Sequence, residues 1–413
     1  HHEQKEKDDI AVLINPKKKS DKSGLNYLAT VGLVFLFVIA LNRKLRESSF
    51  FNLKNKEPNI QKYLDLVAIG TICDLVPLKK INRLFVKKGI LELNKKNNKG
   101  LGVLIDELKI KQKVDTSEIG FYLGPCINAP GRVGEASLGF KLLSLGNENS
   151  FQNISYQLLE NNKIRKTLEN IACKQAKEKL SKLFIEQNER VSKFIFLYDQ
   201  SWHQGIIGII ASKLTKEYNL PSIIVSLKKN NLKGSIRSID GINAADIIQT
   251  LNKKGYLKNG GGHNLAAGFT LKNDCIKTLK ATLKTYFDKI SIKKKQNLKI
   301  DAILGLHSIS VSLVEKIRHL GPFGQDNEEP LIVLKNIRSK FVKKVGKEKN
   351  HVFCILEDIY GQTLSAVAFN QESSLIGEAL FSNKVFNVAG KLDLYKSDQK
   401  ISPQLIIEDI LIL

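Results

Sequence analysis

At 413 residues the chain is long enough for two to four domains with cores of their own. Its formal charge of +24, from 65 Lys and Arg against 41 Asp and Glu, points to a polyanionic partner: nucleic acid first, an anionic membrane surface second. Five scattered cysteines (Cys73, Cys126, Cys173, Cys275, Cys354), none in a CxxC pair, argue against a disulfide framework or a zinc site and suit a reducing cytoplasm. Lys, Asn and Ile are used heavily throughout, so part of the charge is also a matter of overall composition. The sequence holds no Met and opens on His1-His2, so it is expected to be a piece of a longer product, and its polar opening does not read as a signal peptide.

In chain order, Ile10–Ile14 is an apolar run stopped by Asn15-Pro16 and predicts a buried strand closed by a turn. The run from Tyr27 to Leu41 has 15 residues, fewer than the roughly 20 that cross a bilayer, and is expected to be a core helix that ends basic at Arg46. Asp74 follows the apolar stretch Leu64–Cys73, where a carboxylate needs an Arg, backbone donors or a metal as partner. Gly120–Arg132 is dense in Gly and Pro and predicts a shaped loop with Asn128 and Arg132 as its polar groups; a surface turn with a solvated Arg is the plainer alternative. From Ser137 to Glu186 the pattern is helical and free of Pro, suited to a long exposed helix joining two lobes.

A second α/β lobe follows: a strand at Phe194–Tyr198, a loop at Ser201–Gly205, a helix at Ile206–Tyr218 and a strand at Pro221–Ser226. Trp202 is the single Trp, either a stacking platform for a base or a core residue. Lys233–Ser238 reads as a strand, which puts Arg237 on the same face as Ser235. Asn259-Gly260-Gly261-Gly262-His263 reads as a glycine loop whose backbone N–H groups suit a phosphate. Taken singly, each of these pieces is also a common structural feature; together they suggest the wall and floor of a phosphate groove. Beyond the basic linker Ile292–Lys295, short alternating strands (Leu298–Asp301, Pro330–Leu334, His351–Leu356, Thr363–Phe369, Val385–Gly390, Gln404–Asp409) and one helix (Leu313–Leu320) predict a small OB-type β-barrel. Lys340, Lys343, Lys344, Lys347 and Lys349 fall in one loop region of it, as a solvated hairpin or a grip on phosphates.

These segments, in this order, resemble the RecJ-type exonucleases of the DHH phosphoesterase superfamily. The resemblance rests on His1-His2 with Asn15-Pro16, Leu64–Leu78 with Asp74, Gly124–Arg132, Trp202–Gly208, Gly234–Ser238, Gly260–Gly268 and Gly321–Pro330. It implies an α/β fold of two lobes, a partial DHH domain and a DHHA1 domain, joined by a long helix and followed by the OB barrel. The implied segments are 1–136 for the DHH part, 137–190 for the connecting helices, 191–291 for DHHA1 and 296–413 for the barrel.

The family's activity implies 5′→3′ hydrolysis of single-stranded DNA in repair and recombination, with two divalent cations, Mn²⁺ or Mg²⁺. Two hard cations suit carboxylate and imidazole ligands and can activate water on a phosphodiester. By the same resemblance His1 and Asp74 would share a metal, and His2 would touch phosphate or support the ligands. Arg132 and Asn128 would hold phosphate near the metals, while Ser235, Arg237, Ser238, Gly261, Gly262 and His263 would grip the DNA backbone. A single-strand-binding protein and a helicase are the implied partners, with no membrane. Two departures stand out. The Asp of the Asp-His-His motif and the earlier metal carboxylates are not in this sequence, so the chain alone is expected not to assemble two metals. Cys126 stands where the family usually has Arg. A tag remnant is the rival reading of His1-His2. The rival functions are a DHH phosphoesterase acting on short oligonucleotides or cyclic dinucleotides, and a non-catalytic single-strand-binding scaffold.

Overall fold

The computed structural model describes residues 13–110, 113–144, 148–186, 193–228, 231–272, 275–290, 298–382, 384–396 and 401–413. The helices are α1 (Thr30–Glu47), α2 (Leu64–Cys73), α3 (Lys80–Asn94), α4 (Lys99–Glu107), α5 (Thr116–Glu118), α6 (Gly124–Asn128), α7 (Pro130–Val133), α8 (Ser137–Leu143), α9 (Glu148–Glu186), α10 (Ile207–Tyr218), α11 (Ala244–Lys253), α12 (Ile276–Asp288), α13 (Val311–His319) and α14 (Leu375–Phe381). The strands are β1 (Ile195–Asp199), β2 (Ser222–Lys228), β3 (Asn231–Arg237), β4 (Leu257–Gly262), β5 (Ala266–Leu271), β6 (Ala302–Leu304), β7 (Ile332–Val345), β8 (His351–Glu357), β9 (Thr363–Ala368), β10 (Phe386–Lys396) and β11 (Ile401–Ile412). The chain divides into two compact units: one of His1–Asn97, Gln112–Gly120 and Asn297–Leu413, the other of Asn98–Lys111 and Phe121–Gln296.

In the first unit, Phe35, Leu64, Val67 and Phe85 join α1, α2 and α3 in one core, with the Phe35 and Phe85 rings edge to face at 5.4 Å. Gly89 makes the α2–α3 crossing possible, because a Cβ there would lie 2.1 Å from the Leu64 carbonyl oxygen. Three expectations need correction here. Ile10–Val12 lie outside the described residues, while Leu13 and Ile14 are exposed and belong to no strand. The expected core helix is α1, yet only its Gly32, Phe35 and Asn42 side is buried, and Val34, Phe37 and Leu41 face outward. Asp74 is not enclosed by apolar residues. It caps the C-terminal end of α2 and is exposed, whereas Asp65, at the start of the same helix, is the buried carboxylate.

The barrel belongs to the same unit. Its sheet runs β10-β11-β9-β8-β7-β6, and β10 also pairs with β7, which closes the ring of five strands. Strand β7 runs well past the expected Leu334 because its first half pairs with β10 and its second with β8, with a bulge between Ser339 and Phe341. Alternate residues of β8 (Val352, Cys354, Leu356) point into a core that Val314 of α13 and Leu380 of α14 complete. Helix α14 had no counterpart among the expected elements. Leu78 N donates to Gln325 O at 2.7 Å and Lys79 pairs with Asp326 at 2.9 Å, which ties the Gly321–Pro330 segment to the start of α3.

In the second unit the sheet order is β1-β2-β3-β5-β4, parallel only between β1 and β2. One face carries Phe196, Ile223, Val225, Ile236 and Phe269 against α11 and α12. The opposite face carries Ile195, Leu197 and Ile224 against α9 and α10. Helix α9 is therefore more than an exposed connector: Leu158, Ala172, Ala176 and Leu180 are buried along it. Gly120–Arg132 is also not a loop but a series of helical turns, a π turn at Ile119–Leu123 followed by α6 and α7. Pro125 and Pro130 sit in the first turns of α6 and α7, where a missing N–H costs no hydrogen bond. None of the five cysteines is in a disulfide. Among the described residues no helix is long and apolar enough to cross a membrane.

Candidate nucleic-acid interface

Helix α10 packs on β2 and β3, and beyond it the same face of β3, β5 and β4 lines an open groove. Register lays two rows across it: Lys233, Thr270 and Asn259, then Ser235, Gly268 and Gly261. Arg237 ends the β3 side, and Gln204, Gly205, Ile207, Gly208 and Arg132 form the facing wall, around a cavity of about 600 Å³. The lining holds three cationic side chains and no carboxylate. Glycine along the floor leaves backbone, not side chains, facing a ligand.

The two arginines are anchored but not used up. Arg237 Nη1 donates to Ser235 Oγ and to Ile236 O, both at 2.9 Å. Arg132 Nη1 donates to Gly205 O at 3.0 Å. A guanidinium carries five N–H donors in a planar fork, so both keep donors that a phosphate could accept. Burial lowers the pKa of each below the ordinary arginine value. The neighbouring Arg132 charge adds to this for Arg237, and Arg165 adds to it for Arg132, with Glu169 opposing. Gly205 is required at its place, since a Cβ would lie 2.1 Å from Arg132 O.

The other expected site residues are placed as follows. Gly260, Gly261 and Gly262 do not form a loop. They lie in edge strand β4 without positive φ, and Gly262 packs on Ala267 at a distance that leaves no room for a Cβ. His263 is exposed in the turn to β5, its backbone N donating to Ala266 O at 2.8 Å, and it is not among the residues lining the groove. Ser238 is buried, and its hydroxyl donates to Ile242 O at 2.7 Å, which is a structural use. Asn128 is exposed at the end of α6, outside the lining. Trp202 is 1 % exposed and its Nε1 donates to Gln175 Oε1, so it is a core residue and no stacking platform. Cys126 is fully buried against α9, away from the groove lining. Residues 1–12 lie outside the described residues, and the expectations for His1 and His2 with them. The linker Ile292–Lys295 does too.

Asp74 belongs to the other compact unit. Among the described residues no three His, Cys, Asp or Glu side chains gather as a metal ion would need, so these residues do not by themselves fit a two-cation centre. On the barrel, Lys340, Lys343 and Lys344 lie on β7 rather than in a loop, and Lys347 and Lys349 in the turn to β8. Lys340 pairs with Glu357 and Lys344 with Glu372, while Lys343 lies over the Phe341 and Phe353 rings. Gln204, Gly205, Gly208, Asn259 and Gly268 lie in stretches notable in the sequence but without an individual role assigned there, and Thr270 lies in none. The spacing of Gly205 and Gly208 was an available signal for the first wall, and strand period from Ser235 for the floor.

Such a groove is a cationic, carboxylate-free trough on the sheet of an α/β domain, in a chain that also carries an OB-type barrel, and its chemistry suits a phosphate-bearing ligand. Residues 191–289 match the DHHA1 domain family and residues 300–409 the RecJ OB domain family. The single-stranded-DNA-specific exonuclease RecJ of Escherichia coli K12 is 30% identical over 411 residues, covering 96% of this chain and 70% of that protein. That of Bacillus subtilis 168 is 30% identical over 417 residues, covering 99% and 50%. Among solved structures, RecJ of Thermus thermophilus in complex with Mn²⁺ superposes with a TM-score of 0.72 at 24% identity, covering 91% of this chain and 52% of that one. The same protein in complex with Mg²⁺ gives 0.73 at 23% identity, covering 96% and 57%. The chain belongs to the RecJ family of single-stranded-DNA-specific exonucleases. It spans 70% of the length of the Escherichia coli relative and about half of the Bacillus subtilis and Thermus thermophilus proteins.

Proposed function

We propose that this chain is the substrate-gripping part of a 5′→3′ single-stranded-DNA exonuclease that acts with two divalent cations, Mn²⁺ or Mg²⁺, in cytoplasmic DNA repair and recombination. The observation that carries the reading is the pair Arg132 and Arg237. Two half-buried guanidiniums side by side, each lowered in pKa by burial and by a like charge, with no carboxylate in the groove, are stabilised when a phosphate enters. Ser235 orients Arg237, and the Gly261 and Gly268 floor lets a sugar–phosphate backbone lie close without a base-specific contact. That suits an enzyme indifferent to sequence.

Bound cations would supply water activation and charge neutralisation at the scissile phosphate. His1 and Asp74 are the proposed ligands from this chain and His2 the neighbour that touches phosphate, with further carboxylates needed. Asn128, on the short helix before Arg132, is proposed to hold phosphate near the metals with it, while Gly262 and His263 are proposed to grip the backbone downstream, with Ser238 holding β3 in place. A single-strand-binding protein and a helicase, which would deliver single strands, are the proposed partners. The proposed segments remain 1–136, 137–190, 191–291 and 296–413.

Equilibrium binding separates this reading from a short-oligonucleotide phosphoesterase, and cleavage of single strands by the full-length gene product separates it from a non-catalytic scaffold. A long single strand should bind at least tenfold more tightly than a dinucleotide, because each added phosphate contact contributes; it should also bind more tightly than its duplex if the groove takes a single backbone. A duplex with a 5′ single-stranded tail should bind more tightly than one with a 3′ tail. Equal competition by dinucleotides would favour a short-oligonucleotide phosphoesterase, and a preference for 3′ tails would overturn the polarity.

A further inference from the structure

Helix α9 carries a polar stripe that the groove reading leaves unused. Asn162 and Glu169 are each 8% exposed, seven residues apart and so on one face, with Arg165 between them. Arg165 Nε and Nη2 donate to Asn162 Oδ1 at 3.0 and 2.9 Å, and its Nη1 donates to Glu169 Oε2 at 2.6 Å. Lys213 of α10 reaches the other Glu169 oxygen at 2.6 Å. Asn162 Nδ2 donates to Cys126 Sγ at 3.0 Å, in the helix before Arg132. Just after Arg132, Gly134 leaves a space that Asn161 fills, its Oδ1 2.3 Å from where a Cβ would stand. One flank of the Arg132 turn thus rests on Asn162 of this stripe and the other on its neighbour Asn161. Through Lys213 the stripe also holds α10, whose Ile207 and Gly208 line the groove.

We propose that Asn162, Arg165 and Glu169 are positioning residues for the anion grip: they fix the Arg132 turn against α10 and so set the spacing of Arg132 and Arg237. The proposal rests on the groove being a phosphate site. Arg165 is held by Asn162 and Glu169 and is not among the residues lining the groove, so it acts through Arg132 and not on the ligand. Stability alone does not call for such a network, because a buried ion pair is often replaced by apolar side chains at no loss. What apolar packing cannot supply is the fixed direction of a planar, bidentate fork.

The discriminating variant is Arg165→Met combined with Glu169→Leu, which removes one charge of each sign and leaves the local net charge unchanged. Its melting temperature should stay near or above that of the unaltered chain. Affinity for a long oligothymidylate should fall about tenfold, the equivalent of one charge-assisted contact. The slope of log affinity against log salt should become shallower by about 0.7, one phosphate contact on a single strand. Arg132→Ala should produce the same loss alone and little further loss on top of the double variant, since both remove one grip. If Arg132→Ala alone leaves binding unchanged, the groove reading falls, and this proposal with it. If Arg132→Ala weakens binding but the folded double variant binds normally, or the two losses add in full, the positioning role is overturned and the groove reading stands. Should the double variant not fold, Arg165→Lys keeps stem and charge but loses the fork. Several-fold weaker binding supports the proposal, and unchanged binding overturns it.

Discussion

Replacing Arg237 by Met is expected to weaken single-strand binding by roughly 10- to 100-fold, the range of one or two charge-assisted hydrogen bonds, while leaving the folded chain as stable as before or more so. The two halves of this expectation have one cause. Burial and the nearby Arg132 charge both disfavour the Arg237 cation in the unliganded groove, so its removal relieves a cost. Methionine keeps the length that fills the space beside Gly208, where a Cβ would stand 3.1 Å from Arg237 Nη2. Titration of a labelled single strand and a thermal melt, run on the same preparations, check it. A parallel loss of affinity and stability would mean that Arg237 is chiefly structural.

Asp65→Asn is expected to stabilise the chain by ~2–3 kcal/mol at pH 7.5 and by little near pH 4, from a pKa difference of about two units. Asp65 is 3% exposed, and burial, with a smaller contribution from Glu92, pushes its carboxyl up to about 6 against the lowering effect of the Leu66 N–H. Among the described residues no ion pair reaches it. Because its folded pKa lies above the unfolded value of 3.8, the folded chain holds this proton more tightly. The favourable contribution is therefore full below about pH 4, declines as pH rises, and is gone above about 6. Denaturant midpoints of the two proteins across pH 4 to 8 should diverge over that window. Parallel curves would show that the Asp65 carboxyl keeps its ordinary pKa in the folded chain and would contradict the expectation.

What could be read before the fold was known, and what could not, divides along a physical line. Short-range periodicity was enough to put Ser235 and Arg237 on one strand face and to make α9 a long helix without Pro. The rows Lys233–Thr270–Asn259 and Ser235–Gly268–Gly261 were not legible, because register is set by pairing between distant segments. Three successive glycines read as a loop since glycine is a poor strand former, yet β4 is an edge strand and pairs only with β5. Gly120–Arg132 misled in the opposite sense, because Pro125 and Pro130 begin helices instead of breaking them. The Asn162–Arg165–Glu169 stripe was invisible in sequence, where those residue types look like a solvated face. Asp74 was taken for an enclosed carboxylate because its neighbours are apolar, whereas it stands where α2 ends and the chain turns outward.

The most direct test of the central claim is a crystal structure of the chain with a short thymidine oligonucleotide. A backbone phosphate is expected between the Arg132 and Arg237 guanidiniums, with the adjoining sugar over Gly261 and Gly268. A strand bound on the α11 and α12 side of the sheet, with those two arginines untouched, would contradict the assignment.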